Sequence, residues 1–188
     1  ERIVRAAFEA ATERSGHLTN VTKSNAQAHG MVFWDDIVAE VSEEYPSVEV
    51  ERLLVDAASM DMVRRPDEFD VVVCSNLFGD ILTDIGAIVT GSMGLAASAN
   101  IDPGRDHPSM FDPVHGSAFD ITGEGVANPL ATVLSGSLMF DHFGEAAAAT
   151  VLWDAVAEQV ADERAPRTPD LGGESTTDAV ASDLADRL

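Results

Sequence analysis

Short apolar segments that favour β-strands alternate with amphipathic segments that favour helices over the first 90 residues. Strands are predicted at 17–22, 48–55 and 69–74, and helices at 2–14, 31–44, 57–65 and 79–89. Because strands that alternate with helices usually pair in parallel, with the helices covering the sheet, this order predicts an α/β fold. No apolar run approaches the roughly 18 residues that a membrane-spanning helix needs, so no membrane span is predicted.

The composition changes after residue 90. Residues 90–128 are rich in Gly, Ser, Pro and Asn, and a single strand is predicted there, near 109–111. A connection of this length is uncommon inside a compact domain, which favours a functional loop region. Asn128 and Pro129 then form a helix start, because asparagine caps a first turn and proline fits it. Helices are predicted to follow at about 129–142, 144–162 and 176–187.

The chain is strongly acidic, with 33 Asp and Glu against 11 Lys and Arg and a formal net charge of −22. Such a surface repels phosphate groups, so nucleic acid and anionic membranes are expected to be poor partners. Ten of the basic residues are arginine, and Lys23 is the only lysine. An ordinary acidic protein still carries many lysines, whereas a lysine-poor acidic surface is typical of adaptation to multimolar salt, which screens self-repulsion. We therefore expect a halophilic protein and a chemical role for Lys23.

The single cysteine, Cys74, rules out an internal disulfide and favours a reducing, cytoplasmic location. The first residues contain no Met and no apolar signal region. They indicate a chain that continues a longer one.

Four charged residues form the first candidate site. Lys23 and Asp56 each follow a predicted strand, where open α/β sheets bind their ligands. Asp80 and Asp84 lie four residues apart at the predicted start of a helix, so both carboxylates project from one face. Oxygen ligands of this kind suit Mg²⁺ or Mn²⁺. In so acidic a chain the same spacing also arises by chance, and the spacing alone leaves the metal site open.

The second candidate site is the segment 115–121, followed by Gly123, Gly125 and Asn128. Small residues let a backbone approach a ligand closely, and an aspartate after such a turn can accept a hydrogen bond from a ribose hydroxyl. The spacing differs from the common Gly-x-Gly-x-x-Gly element. A long loop that needs glycines to turn would look the same.

Residues 76–84, Asn-Leu-Phe-Gly-Asp-Ile-Leu-Thr-Asp, resemble the metal-binding stretch of the β-decarboxylating dehydrogenases, the isocitrate and 3-isopropylmalate dehydrogenase family. Residues 112–118, with 127–129, are similar to the cofactor loop of that family. Lys23-Ser24-Asn25 and the segment 169–173 extend the resemblance along the chain. Within the family, residues 23–25, 75–77 and 103–111 look most like tartrate/D-malate dehydrogenases.

The resemblance implies a role for each candidate residue. Asp80 and Asp84 would hold Mg²⁺ or Mn²⁺, with Asp56 reaching in from the partner subunit of a homodimer. Lys23, also from the partner, would act on the substrate hydroxyl, so Lys23 and Asp56 are the catalytic candidates. The remaining matches concern NAD, and Asn25 would lie near its nicotinamide. Asp120 followed by Ile121 would favour NAD over NADP. The adenosine end would be lined by His115, Gly116, Ser117, Ala118 and Asn128.

The activity implied is NAD- and metal-dependent oxidative decarboxylation of a small 2-hydroxy dicarboxylic acid of the tartrate or D-malate type. A 3-isopropylmalate dehydrogenase of leucine biosynthesis is the nearest alternative. A non-catalytic dimerisation or regulatory subunit is the second, although such a subunit would gain little from keeping all four charged residues.

The resemblance also implies an isopropylmalate dehydrogenase-like fold, of which this chain is the C-terminal half. Residues 1–90 would complete a dimerisation and substrate–metal domain, and residues 91–188 would form the C-terminal half of a cofactor-binding domain. The other half would hold the catalytic tyrosine and the arginines that clamp the substrate. We therefore expect this chain alone to be inactive.

Overall fold

Seven helices and five strands make up the chain, which a computed structural model describes over residues 1–188. The helices are α1 (Arg2–Glu13), α2 (Gly30–Ser42), α3 (Val55–Arg64), α4 (Asn76–Val89), α5 (Leu130–His142), α6 (Ala146–Ala161) and α7 (Thr177–Arg187). The strands are β1 (His17–Thr22), β2 (Glu49–Leu54), β3 (Val71–Val73), β4 (Ala97–Asn100) and β5 (Met110–Pro113). They are divided between two units, Glu1–Val89 and Thr90–Leu188. None of the helices combines the length and apolar character needed to cross a membrane.

A parallel sheet in the order β2-β1-β3 forms the centre of the first unit. The register pairs Leu18 with Val50 on one side and with Val71 on the other. Successive side chains of a strand point to opposite faces, so Leu18 and Val21 contribute to different hydrophobic cores. The expected α/β class with a parallel sheet is therefore confirmed.

Helices cover both faces of this sheet. On one face α1 and α2 supply most of a core that consists of Val4, Phe8, Ala11, Leu18, Val38, Val41, Val48 and Val73. On the other face α3 and α4 pack over Val21 through Ala58 and Leu82. Apolar side chains recur on α1 at the spacing of helical turns, which is why one stripe of this helix is fully buried.

The second unit combines an antiparallel pair, β4 with β5, and three helices. Its core consists of Leu130, Leu134, Ala155, Val156, Val180 and Leu184, from α5, α6 and α7. Helix α5 begins at Leu130 with Pro129 at its N-cap, one residue later than predicted, and Asn128 Oδ1 accepts a hydrogen bond from Leu130 N at 3.0 Å.

Several boundaries differ from the sequence prediction. Strand β4 was not predicted, and α4 begins at Asn76 rather than Gly79. The earlier start has a local cause, since the Ser75 carbonyl accepts a hydrogen bond from Gly79 N at 2.9 Å. Asp80 therefore lies in the second turn of α4, not at its start. Met62 and Ile85 pack against the core on the second face of the sheet.

We predict that Phe8→Ala destabilises the chain by about 3–5 kcal/mol, because the ring is fully buried and its removal leaves a cavity. The ring also stacks on Tyr45 at a centroid distance of 5.0 Å. Chemical denaturation monitored by circular dichroism measures the loss. Phe33→Ala, at a site on α2 that is 66% exposed, is the matched control and should change stability by less than about 1 kcal/mol. Equal losses in the two variants would contradict the assignment of the core.

Candidate functional site

The carboxyl ends of β1 and β2 bring Lys23 and Asp56 together. Thr22, the last residue of β1, pairs with Leu54, the last residue of β2. Lys23 follows β1 directly, and Asp56 lies in the first turn of α3, two residues after β2. Lys23 Nζ donates a hydrogen bond to Asp56 Oδ1 within the same chain. This hydrogen bond is the main reason that the pKa of Asp56 lies below its usual value.

Asp80 and Asp84 lie one helical turn apart on α4, the helix that follows β3. Both residues are exposed, and neither carboxylate takes part in a hydrogen bond or an ion pair. Free carboxylate oxygens one turn apart fit a hard divalent cation, which prefers oxygen ligands. No group of three His, Cys, Asp or Glu residues in the chain is placed to hold a metal ion. Asp56, Asp80 and Asp84 are therefore not gathered within one copy of the chain.

The loop that follows β5 borders a largely apolar cavity of about 280 Å³ in the second unit. Four of the predicted cofactor residues line it, namely His115, Ala118, Ile121 and Asn128. Ser117 lines an adjoining depression of about 390 Å³ that shares Ala118 and Ile121 with the cavity. Gly116 and Asp120 are exposed on the same loop but border neither space, and Asn25 lies exposed in the first unit.

His115, which lines this cavity, has one unsatisfied polar atom. Its Nδ1 lies 2.9 Å from Gly116 O, which can only accept a hydrogen bond, so Nδ1 is assigned the proton. Its Nε2 is buried and has no hydrogen-bond partner. A buried acceptor without a partner is costly. Ala118 adopts a left-handed conformation, φ 42°, as the loop turns beside the cavity.

Two cavity residues, Gly94 and Asp170, were not predicted as site residues. Asp170 Oδ2 accepts hydrogen bonds from Ser92 Oγ and, at 2.9 Å, from Asn128 Nδ2. Burial alone would raise the pKa of Asp170, but hydrogen bonds from Asn128, Ser92 and Thr168 lower it below the usual value. The segment 169–173 carried the family resemblance, which was the one signal that could have identified Asp170.

Gly94 is required by close packing. A Cβ built at this position would lie 2.7 Å from Asn128 Cβ and would also collide with the Asp170 carboxylate. Only glycine therefore lets the Asn128–Asp170 hydrogen bond form at the cavity wall.

Comparisons with known proteins agree along the full sequence. Residues 1–188 match the family described as isocitrate/isopropylmalate dehydrogenase. A probable tartrate dehydrogenase/decarboxylase of Bacillus subtilis is 46% identical over 188 residues, which are 100% of this chain and 52% of the relative. A 3-isopropylmalate dehydrogenase of Thermobifida fusca is 53% identical over 189 residues, again 100% of this chain and 52% of the relative.

Solved structures give the same result. Isocitrate dehydrogenase from Methylococcus capsulatus superimposes with a TM-score of 0.92 at 40% identity, over 99% of this chain and 55% of that one. A β-decarboxylating dehydrogenase from Thermococcus kodakarensis gives a TM-score of 0.84 at 38% identity, over 99% and 53% of the two chains. The chain thus spans about half the length of the curated relatives it matches. It belongs to the isocitrate/isopropylmalate dehydrogenase family, and the predicted family and fold are both confirmed.

Proposed function

We propose that this chain supplies the C-terminal part of an NAD- and divalent-metal-dependent enzyme that oxidatively decarboxylates a 2-hydroxy dicarboxylic acid. The tartrate or D-malate type is the preferred substrate class. The observation that carries the proposal is the contact between Lys23 and Asp56 at the carboxyl ends of adjacent parallel strands, in a chain of this family. On its own the chain is expected to be inactive.

Lys23 would act on the substrate. It would hold the hydroxyl group of the 2-hydroxy acid and, in its neutral amine form, take up the hydroxyl proton as the carbon is oxidised. NAD⁺, when bound, accepts the hydride. Because the Lys23 side chain is partly buried beside Asp56, its position is constrained before substrate arrives.

The cavity residues support adenosine binding. Apolar lining residues would cover the adenine ring. Asp120 is exposed on the loop beside the cavity, and its carboxylate would repel the 2′-phosphate of NADP. These features support the choice of NAD. We also propose cofactor contacts for Asn25, at the nicotinamide end, and for Gly116, Ser117, Ala118, Ile121 and Asn128.

Asp80 and Asp84 would hold Mg²⁺ or Mn²⁺ together with Asp56 of a second copy. When bound, the divalent cation supplies Lewis acidity at the substrate carbonyl.

A second copy is also favoured by the exposed apolar face of α3 and α4. Met60, Val63, Leu77, Ile81 and Ile88 are 49–66% exposed there. Contiguous apolar surface of this kind commonly marks a protein interface, and we propose a homodimer through it.

The specific substrate is the least constrained part of the proposal. Relatives named for tartrate and for 3-isopropylmalate occur at similar identities, 46% and 53% in the two cases above. A 3-isopropylmalate dehydrogenase is therefore the second candidate.

We also propose a halophilic, cytoplasmic enzyme, on the basis of the acidic, lysine-poor composition and the free cysteine.

The substrate is tested by NADH formation with the full-length gene product in multimolar KCl with Mn²⁺. We expect turnover of D-malate or tartrate and none of 3-isopropylmalate. The reverse preference would establish the second candidate. No turnover of any of the three would favour a non-catalytic subunit.

In the same protein, Asp80→Asn combined with Asp84→Asn should abolish Mn²⁺ binding in calorimetry, because both proposed ligands of one copy lose their charge. Asp154→Asn is the matched control, since Asp154 is an exposed helical carboxylate on α6. Unchanged Mn²⁺ affinity in the double variant would remove the metal assignment.

The adenosine cavity is tested by Gly94→Ala. The added Cβ would displace Asn128 and Asp170, so we expect the affinity for 5′-AMP and NAD to fall at least tenfold in calorimetry. Gly136→Ala is the control, because a Cβ on this α5 residue meets only Leu152 Cδ1, at 3.8 Å. That variant should bind normally and gain up to about 1 kcal/mol in stability. Normal nucleotide binding by Gly94→Ala would place the adenosine elsewhere.

Halophilic behaviour is tested by the thermal midpoint as a function of KCl concentration. The midpoint should rise steeply between dilute buffer and multimolar KCl, because screening relieves repulsion among carboxylates at a net charge of −22. Circular dichroism melting curves measure it. A midpoint that does not depend on KCl would contradict the halophile assignment.

A further inference from the structure

Lys23 lies in the turn 23–29, which connects β1 to α2. A hydrogen bond to one carboxylate, that of Asp35 on α2, anchors this turn to the rest of the first unit. We propose that Asp35 is a positioning residue, which holds the turn so that the Lys23 side chain meets its substrate in one geometry. The inference rests on the proposed function of Lys23, and it assigns a role to a residue outside the proposed cofactor, metal and substrate residues.

The turn itself has little else to hold it. Residues 23–29 connect β1 to α2, and within them Ala26 N and Gln27 N donate hydrogen bonds to the Lys23 carbonyl at 3.0 and 2.9 Å. Residues 25–29 are exposed, and their side chains make no hydrogen bond. Apart from Lys23 itself, Ser24 is therefore the only residue of this turn whose side chain is anchored.

The anchor of Ser24 is a closed set of three side chains. Ser24 Oγ donates a hydrogen bond to Asp35 Oδ2 at 2.7 Å. Arg52, on β2, donates from Nε to the same Asp35 oxygen at 2.9 Å and from Nη2 to Ser24 Oγ at 2.7 Å. Because each member contacts the other two, displacing any one of them breaks two hydrogen bonds.

The other oxygen of Asp35 connects this set to the central strand. Asn20 Nδ2 donates to Asp35 Oδ1 at 3.1 Å, and Asn20 Oδ1 accepts from Trp34 Nε1 at 2.7 Å. Asn20 is 2% exposed on β1, where it pairs in register with Arg52. The Asp35 carboxylate thereby connects the turn to the central strand of the sheet.

Asp35 must be a carboxylate to do this. It accepts from three donors on two oxygens, and its side chain is only 18% exposed. Burial acts to raise its pKa, but hydrogen bonds from the surrounding side chains, that of Ser24 foremost, outweigh burial and lower it. An amide in its place would turn an NH₂ group toward one of these donors.

Ser24 is the neighbour of Lys23, so fixing Ser24 fixes the direction in which the Lys23 side chain leaves the backbone. A lysine side chain has four rotatable bonds, and small displacements of a catalytic group are costly to rate. A loosened turn should therefore slow chemistry more than it weakens substrate binding.

The test compares Asp35→Asn with Asp36→Asn, the adjacent and exposed aspartate on the same helix, in the full-length enzyme. We expect kcat to fall at least tenfold in Asp35→Asn with KM changed less than threefold, and no change in Asp36→Asn. Ser24→Ala should lower kcat in the same direction without removing the carboxylate. The double variant should be no slower than Asp35→Asn, because the two act through one contact.

Amide hydrogen exchange gives a readout that does not need activity. In Asp35→Asn and Ser24→Ala the amides of Ala26 and Gln27 should exchange at least tenfold faster, while Leu18 and Val21 in β1 keep their protection. If the wild-type enzyme turns over nothing, the proposed function fails, but the exchange result still stands for or against the positioning role. Unchanged exchange in the turn, or equal loss of protection along β1, would overturn the inference.

Discussion

The parallel pairing of β1 with both β2 and β3 is the constraint on which the first unit depends. Because β1 lies between two parallel neighbours, its carboxyl end and theirs lie at the same edge. That pairing places Lys23 beside Asp56 and begins α4, with Asp80 and Asp84, after β3. The two faces of β1 also receive different helices, so the strand that carries Lys23 is buried from both sides. A shift of one residue in register would exchange those faces and separate the charged pair.

The sequence predicted the elements whose apolar residues recur with a clear period. The parallel strands of the first unit and all seven helices fall into this class, with ends misplaced by a few residues. Strand β4 could not be predicted, because Ala97-Ser98-Ala99-Asn100 contains no β-branched or aromatic side chain. It forms because β5 pairs with it and α5 packs against it, which is tertiary context. A related limit applies to α3 and α4, because periodicity alone does not separate the apolar side chains that pack against the core, such as Met62 and Ile85, from exposed ones such as Met60.

The residues of the candidate site also fall into those that the sequence could predict and those that it could not. Residues at the ends of strands could be predicted, because parallel topology alone places them at one edge. Asp35 could not, because one carboxylate in a chain with 33 Asp and Glu residues looks like any other, and only the resemblance of the segment 169–173 pointed to Asp170. Their hydrogen-bond partners are distant in sequence, 78 residues in the case of Ser92 and Asp170, and only the fold brings them together. The role of Gly94 could not be predicted from the sequence for a similar reason, because the atoms that exclude a Cβ there belong to Asn128 and Asp170.

Hydrogen bonding separates two classes of carboxylate in this acidic chain. Asp35 and Asp170 are partly buried, and their hydrogen bonds lower their pKa values below the ordinary 3.8. A lowered pKa in the folded state stabilises the fold fully above the unfolded value, and that stabilisation is lost only as pH falls through the folded value. Near neutral pH both therefore contribute in full. What varies with the salt concentration is the repulsion among exposed carboxylates such as Asp80 and Asp84, because dissolved ions screen it.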